Sequence, residues 1–148
     1  MTVINSGHFF SALFALIIGL WLLTIKKGTR WHKNLGYGYW FAMLALNVSA
    51  LSLYQRDGQF GPFHIAAVLS LLTLIAGAVP ALRRKPKHWL AMHWRFMAWS
   101  YVGLVAGALS ESIFRLPGMA YWPSIVAVSL LTFAIGGVWI KQQNHKWP

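Results

Sequence analysis

GHFFSALFALIIGLWLLTIKKGTRWHKN, residues 7–34, opens as an almost unbroken apolar run (7–25) and stops on four cations, Lys26, Lys27, Arg30 and Lys33. A helix rising 1.5 Å per residue needs about 20 residues to cross about 30 Å of hydrocarbon. The run has that length, and the cations that end it belong in the headgroup layer. Four more runs repeat the pattern, at about 35–54, 62–82, 91–113 and 119–140. The expected fold is therefore an all-α integral membrane protein with five transmembrane helices. Helices 1–4 form an antiparallel four-helix bundle with the fifth helix peripheral, and residues 1–148 make a single membrane domain.

Composition points the same way. The 148 residues are 57% hydrophobic and 10% charged, with a mean hydropathy of +0.53, whereas soluble domains carry about 25% charged residues. Cysteine is absent, which excludes disulfides, thiolate metal sites, iron–sulfur clusters and covalently attached haem c. Any metal or cofactor must be held by nitrogen or oxygen.

The net charge of +11 would suggest nucleic acid in a soluble protein, but its distribution argues for topology instead. Lys26, Lys27, Arg30 and Lys33 follow the first run. Arg83, Arg84, Lys85, Lys87 and Arg95 surround the third connection, and Lys141 and Lys146 end the chain. The opposite side holds Arg56 and Arg115 with both acids, Asp57 and Glu111. The excess of Lys and Arg on cytoplasmic loops sets orientation, so the N-terminus is expected outside and the C-terminus in the cytoplasm. Partners are then the lipid bilayer and its anionic headgroups, and nucleic acid is not expected. In "RDGQFGP" (56–62) and "RLPG" (115–118) turn residues separate the runs, and Pro62 suits a helix start.

Histidines follow the same topology. His8 and His64 open the first and third runs on the outer side; His32 precedes the second and His93 opens the fourth on the inner side. In an up-down bundle, helices 1 and 3 are diagonal neighbours, as are 2 and 4. Axes about 8–10 Å apart leave room for a haem iron between two imidazoles. Zinc normally asks for four ligands, so two histidines per face suit six-coordinate haem iron better. His88 competes with His93 for the inner position, and His145 lies in a polar tail.

Helix periodicity supports convergence. His32, Gly36, Tyr39, Met43, Asn47, Ala50 and Tyr54 share one stripe; His93, Met97, Ser100, Leu104, Gly107 and Glu111 share another; His8, Ala12, Ala15, Gly19 and Leu22 share a third. Polar groups within a span usually face the bundle interior. The same stripes also fit plain helix-packing seams of small residues. Haem propionates would take cations: Arg30, Lys33 and Arg95 on the inner face, Arg56 and Arg115 on the outer. Trp31, Tyr37, Trp94, Tyr101 and Trp122 can line a macrocycle or form interfacial aromatic belts.

"KGTRWHKNLGYGY", "GPFHIAA" and "HWRFMAWSYVGL" resemble the recurring motifs of an uncharacterised family of small bacterial predicted membrane proteins, a domain of unknown function. That resemblance implies fold and topology, and places a multi-pass protein in the bacterial inner (plasma) membrane. The histidine layout is similar to that of the cytochrome b561-type di-haem membrane proteins. This second resemblance implies His8 with His64 and His32 with His93 as axial ligands of two haem b groups. It further implies transmembrane electron transfer, an oxidoreductase of cytochrome b type, between an unidentified donor and acceptor: a quinol, an ascorbate-like reductant, superoxide or a metal ion. Histidine-based binding or transport of zinc or copper is the alternative, as is a non-catalytic membrane subunit. A homodimer is compatible with each. No nucleophile–base pair, phosphate loop or dinucleotide fingerprint is present.

Overall fold

In the structure, a computed structural model, residues 3–53 and 61–143 are described; they form five helices and no strand. These are α1 (Val3–Thr24), α2 (Arg30–Ser52), α3 (Pro62–Arg83), α4 (Trp89–Phe114) and α5 (Tyr121–Gln143). Arg56 and His145 lie outside the described residues, as do Tyr54 and Lys146.

Four of the helices, α1, α3, α4 and α5, are long and apolar enough to cross a membrane. They carry large exposed apolar side chains such as Phe10, Phe14, Leu72, Leu130 and Ile135. Water would penalise so much apolar surface at about 25 cal/mol per Å², and hydrocarbon does not. The fifth expected span, α2, is as long as the others but less apolar. It begins at Arg30, five residues before the apolar run, because Thr29 caps it: the Thr29 hydroxyl accepts the His32 N–H at 3.1 Å. Its first turn is cationic (Arg30, Lys33), and the apolar run that follows is diluted by Gly36, Tyr37, Gly38, Tyr39, Asn47 and Ser49, which lowers its hydropathy without shortening it.

By compactness the chain divides into Met1–Leu71 and Leu72–Pro148, a boundary that falls inside the continuous helix α3. In the first unit α1 and α2 form an antiparallel hairpin. His8 meets Ser49 near one end, and Ile18 lies against Gly38 nearer the other. The connection is short and held by side chains. Lys27 Nζ donates to the carbonyls of Leu22, Leu23 and Ile25, the last two at 2.9 and 3.1 Å. That satisfies the orphan carbonyls at the C-terminal end of α1 with a cation, where the helix dipole favours one. Gly28, at φ 78°, supplies the left-handed residue that reverses the chain.

The second unit is built on an antiparallel α4–α5 pair. Trp94 packs on Trp139 (ring centroids 5.5 Å apart), Trp99 on Phe133 (6.0 Å), and Phe114 on Tyr121 (5.0 Å). Between them Gly136 admits Val102: a Cβ on Gly136 would sit 2.5 Å from Val102 Cγ2. The buried residues of α4 include Ala91, Trp94, Ala98, Val102, Ala106 and Ser110, a run of spacings 3 and 4 along one face. Ser110 and Ser129 hydroxyls bond each other at 3.2 Å across the pair. Thus α5 lies along the length of α4.

Candidate functional site

Each helix from α1 to α4 carries its histidine in the first one or two turns: His8 on α1, His32 on α2, His64 on α3, His93 on α4. What distinguishes them is the sense of the hydrogen bond at Nδ1. A neutral imidazole has one N–H and one lone pair, and the partner of one nitrogen decides the state of the other.

In the second unit, His93 Nδ1 lies 2.8 Å from the carbonyl oxygen of Gly77. A carbonyl only accepts, so Nδ1 carries the proton and Nε2 the lone pair. That arrangement is the usual one behind a metal-ligating histidine. The close approach exists because residue 77 is glycine: a Cβ there would stand 2.8 Å from Met97 Sδ and 3.2 Å from the Met97 backbone nitrogen. Met97 is one turn beyond His93 on the same face of α4. Pro80, in the next turn of α3, removes the N–H that would bond the Ala76 carbonyl, so the regular ladder is already interrupted beside this contact. His88, by contrast, is the exposed N-cap position of α4, and its side chain makes no capping bond.

In the first unit, His8 Nδ1 lies 3.0 Å from Ser49 Oγ. Ser49 spends its single hydroxyl hydrogen on the Leu46 carbonyl, 2.9 Å away. Toward His8 it is therefore an acceptor, and His8, like His93, has its proton on Nδ1 and its lone pair on Nε2. His64 is the reverse. Its Nδ1 accepts the Gly61 backbone N–H at 3.0 Å, so the neutral ring carries its proton on Nε2, which is buried. This is helix capping: Pro62 is the first residue of α3, and the third residue reaches back to the N–H just before the helix, as a capping-box Glu or Gln does. His64 is only 4% exposed, and while that bond is held its Nε2 cannot offer a lone pair. His32 stands in the corresponding third position of α2, with its Nδ1 buried.

Tyr39, Met43 and Asn47 of the α2 stripe are buried as expected. Asn47 donates both amide hydrogens, to the Met43 carbonyl (2.7 Å) and to Ser70 Oγ (3.1 Å). Ser100 and Leu104 of the α4 stripe are buried as well.

The candidate propionate cations divide. Arg115 is tied to Glu111 one turn away as an ion pair and lies 5.5 Å over the Phe114 ring. Arg30, Lys33 and Arg95 are exposed. Trp31, Tyr37 and Trp122 are exposed, as a membrane-interface belt requires, whereas Trp94 is buried against Trp139. Among the described residues no three of His, Cys, Asp and Glu come together to hold a metal ion.

Gly77, Ser49, Gly61 and Thr29, which orient the rings or the chain around them, were not evident from residue type. "AGAVP" (76–80), small residues ahead of a proline, is the signal by which Gly77 can be found.

The family model described as predicted membrane protein (DUF2306) matches residues 6–142. The chain belongs to that family. It is a multi-pass membrane protein, and the match spans all five helices. No curated protein and no solved structure matches the chain.

Proposed function

We propose that this DUF2306 member binds haem b and carries electrons across the bacterial inner membrane. The observation that carries the reading is the His93–Gly77 contact, which fixes the ring and leaves the lone pair on Nε2. His8, oriented by Ser49, offers the same chemistry in the first unit. Bound to such nitrogens, haem b supplies a one-electron couple whose potential follows ligand basicity and burial. The chain's own part is to hold the rings, raise the basicity of Nε2 through the Nδ1–H bonds, and exclude water with apolar helices. His64 joins as a ligand only by giving up the Gly61 N–H, so His8 and His93 come first. Arg95, exposed and two residues beyond His93 in sequence, serves as a propionate partner.

Purified protein from haem-replete cells should be red, with a reduced b-type spectrum and extractable haem; colourless protein ends this reading.

The proposed topology has five crossings, with the N-terminus outside and the C-terminus cytoplasmic. Support comes from the α1–α2 hairpin: α2 runs about 34 Å antiparallel to α1, so it shares the depth that α1 spans. Because the chain has no cysteine, single cysteines report directly. Ser52→Cys should label from outside and Lys26→Cys only after the membrane is opened; labelling of both from one side removes α2 as a crossing.

A further inference from the structure

We infer that the connection 26–29 and the first turn of α2 form a binding site for the headgroup of an anionic phospholipid, made by Lys26, Arg30 and Lys33 with the indole of Trp31. Charge balance is the first argument. The chain has 13 Lys and Arg against 2 acids. Glu111 is taken by Arg115, and in sequence Asp57 is separated from this segment by the whole of α2. The exposed cations here have no acid beside them in sequence and so offer charge to an anion outside the chain.

The structure then sorts the four cations. Lys27 turns inward onto three carbonyls at the end of α1, and burial pushes its ammonium below the ordinary lysine pKa. Lys26, Arg30 and Lys33 stay exposed, as does Trp31 at 72%. These four follow a 22-residue apolar helix directly, which sets them at headgroup depth. An indole there favours the interface, and nearby cations attract anionic lipid at about fivefold in binding per Lys or Arg. The hydroxyl of Thr29, bonded to the His32 N–H and the Lys26 carbonyl, fixes the loop that presents them.

The exposed cations Arg83, Arg84, Lys85 and Lys87 give an internal comparison. They sit at and just past the C-terminal end of α3, and 83–87 contains no aromatic residue. The site at 26–33 is thus distinguished by its fixed loop and its indole rather than by charge alone.

The test uses the full chain purified in a neutral detergent. Short-chain phosphatidylglycerol, phosphatidylcholine of equal chain length and inorganic phosphate are each titrated, with bound molecules counted by native mass spectrometry. Phosphatidylglycerol should bind, and the other two should not. The K26Q/R30Q/K33Q variant should weaken phosphatidylglycerol binding at least tenfold, about fivefold per cation being the upper expectation; W31A should weaken it severalfold. K27Q should leave binding within twofold while lowering thermal stability. An equal loss on neutralising the four cations at 83–87 would show a diffuse field and overturn the site. Binding of phosphate alone would reassign it to a free anion, and unchanged binding in the triple variant would remove it.

Discussion

His64 and His93 hold similar places near the starts of successive helices and do opposite things. The ring at the head of α3 receives a backbone N–H from Gly61, and the ring at the head of α4 gives its N–H to the Gly77 carbonyl. One is thereby spent on ending a loop and starting a helix. The other, as a neutral ring, keeps its lone pair on Nε2. Residue type and position relative to a span do not separate the two; the hydrogen-bond partner does. Where such a ring is shielded from water it cannot borrow a solvent partner, and its tautomer is set by the chain.

The largest effect tests that contrast through pigment. His93→Ala should remove about half of the bound haem, one of two proposed sites. His64→Asn keeps an acceptor for the Gly61 N–H but cannot act as an axial imidazole, so it should retain pigment and fold. If His64→Asn loses as much haem as His93→Ala, then His64 is a ligand, and the capping bond breaks when the cofactor binds.

Next comes the backbone that makes the His93 contact feasible. Gly77→Ala would press a Cβ to 2.8 Å from Met97 Sδ, and overpacking of this kind costs about 1–3 kcal/mol. Sulfur at the end of a flexible chain can yield, but the Met97 backbone nitrogen at 3.2 Å cannot. The unfolding midpoint should fall, and the His93-dependent pigment should fall with it. A fully stable Gly77→Ala with altered pigment would place the effect on ring orientation alone. Gly136→Ala, against Val102, should destabilise similarly without touching pigment, and so separates packing from ligation.

A smaller difference comes from the cap itself. His64→Ala leaves the Gly61 N–H without its side-chain acceptor and should cost about 1 kcal/mol, the usual scale for a lost helix-end bond. His64→Asn should recover most of it. Equal stability for both variants would mean that the Gly61 bond contributes nothing, and the contrast with His93 would lose its basis.

Much of this was legible beforehand for a physical reason. A membrane span advertises itself through length and apolarity, so α1, α3, α4 and α5 followed from runs such as 7–25 and 62–82, and the body of α2 as a helix from the run 35–54. The beginning of α2 did not, because a helix can start outside hydrocarbon wherever a cap allows, and Thr29 provides one five residues before the apolar run. Buried faces were equally accessible: Tyr39, Met43 and Asn47 fall on one stripe because the helix period puts them there. The role of each histidine was not, since hydrogen-bond sense depends on a partner distant in sequence (Ser49 for His8, Gly77 for His93) and on whether that partner gives or takes a proton. Arg115 shows the same limit. Its charge was visible, but its pairing with Glu111 depends on both standing on one face of the last turns of α4.

Ser49 gives the smallest and most discriminating test. It stands to His8 as Gly77 stands to His93, but through a side chain that can be replaced without moving the backbone. Ser49→Ala removes the acceptor of the His8 N–H, and because His8 is only half-buried the stability cost should stay below about 1 kcal/mol. If His8 is only a packing residue at the α1–α2 seam, nothing else should change. If it is a ligand, the ring is freed to rotate and its Nε2 becomes less basic, so the midpoint potential of its haem should rise with pigment content little altered. Ser49→Thr keeps a hydroxyl at that place and should restore the original potential. A potential that does not move in Ser49→Ala would make His8 a structural residue, and the proposed haem would then have to be sought at His93.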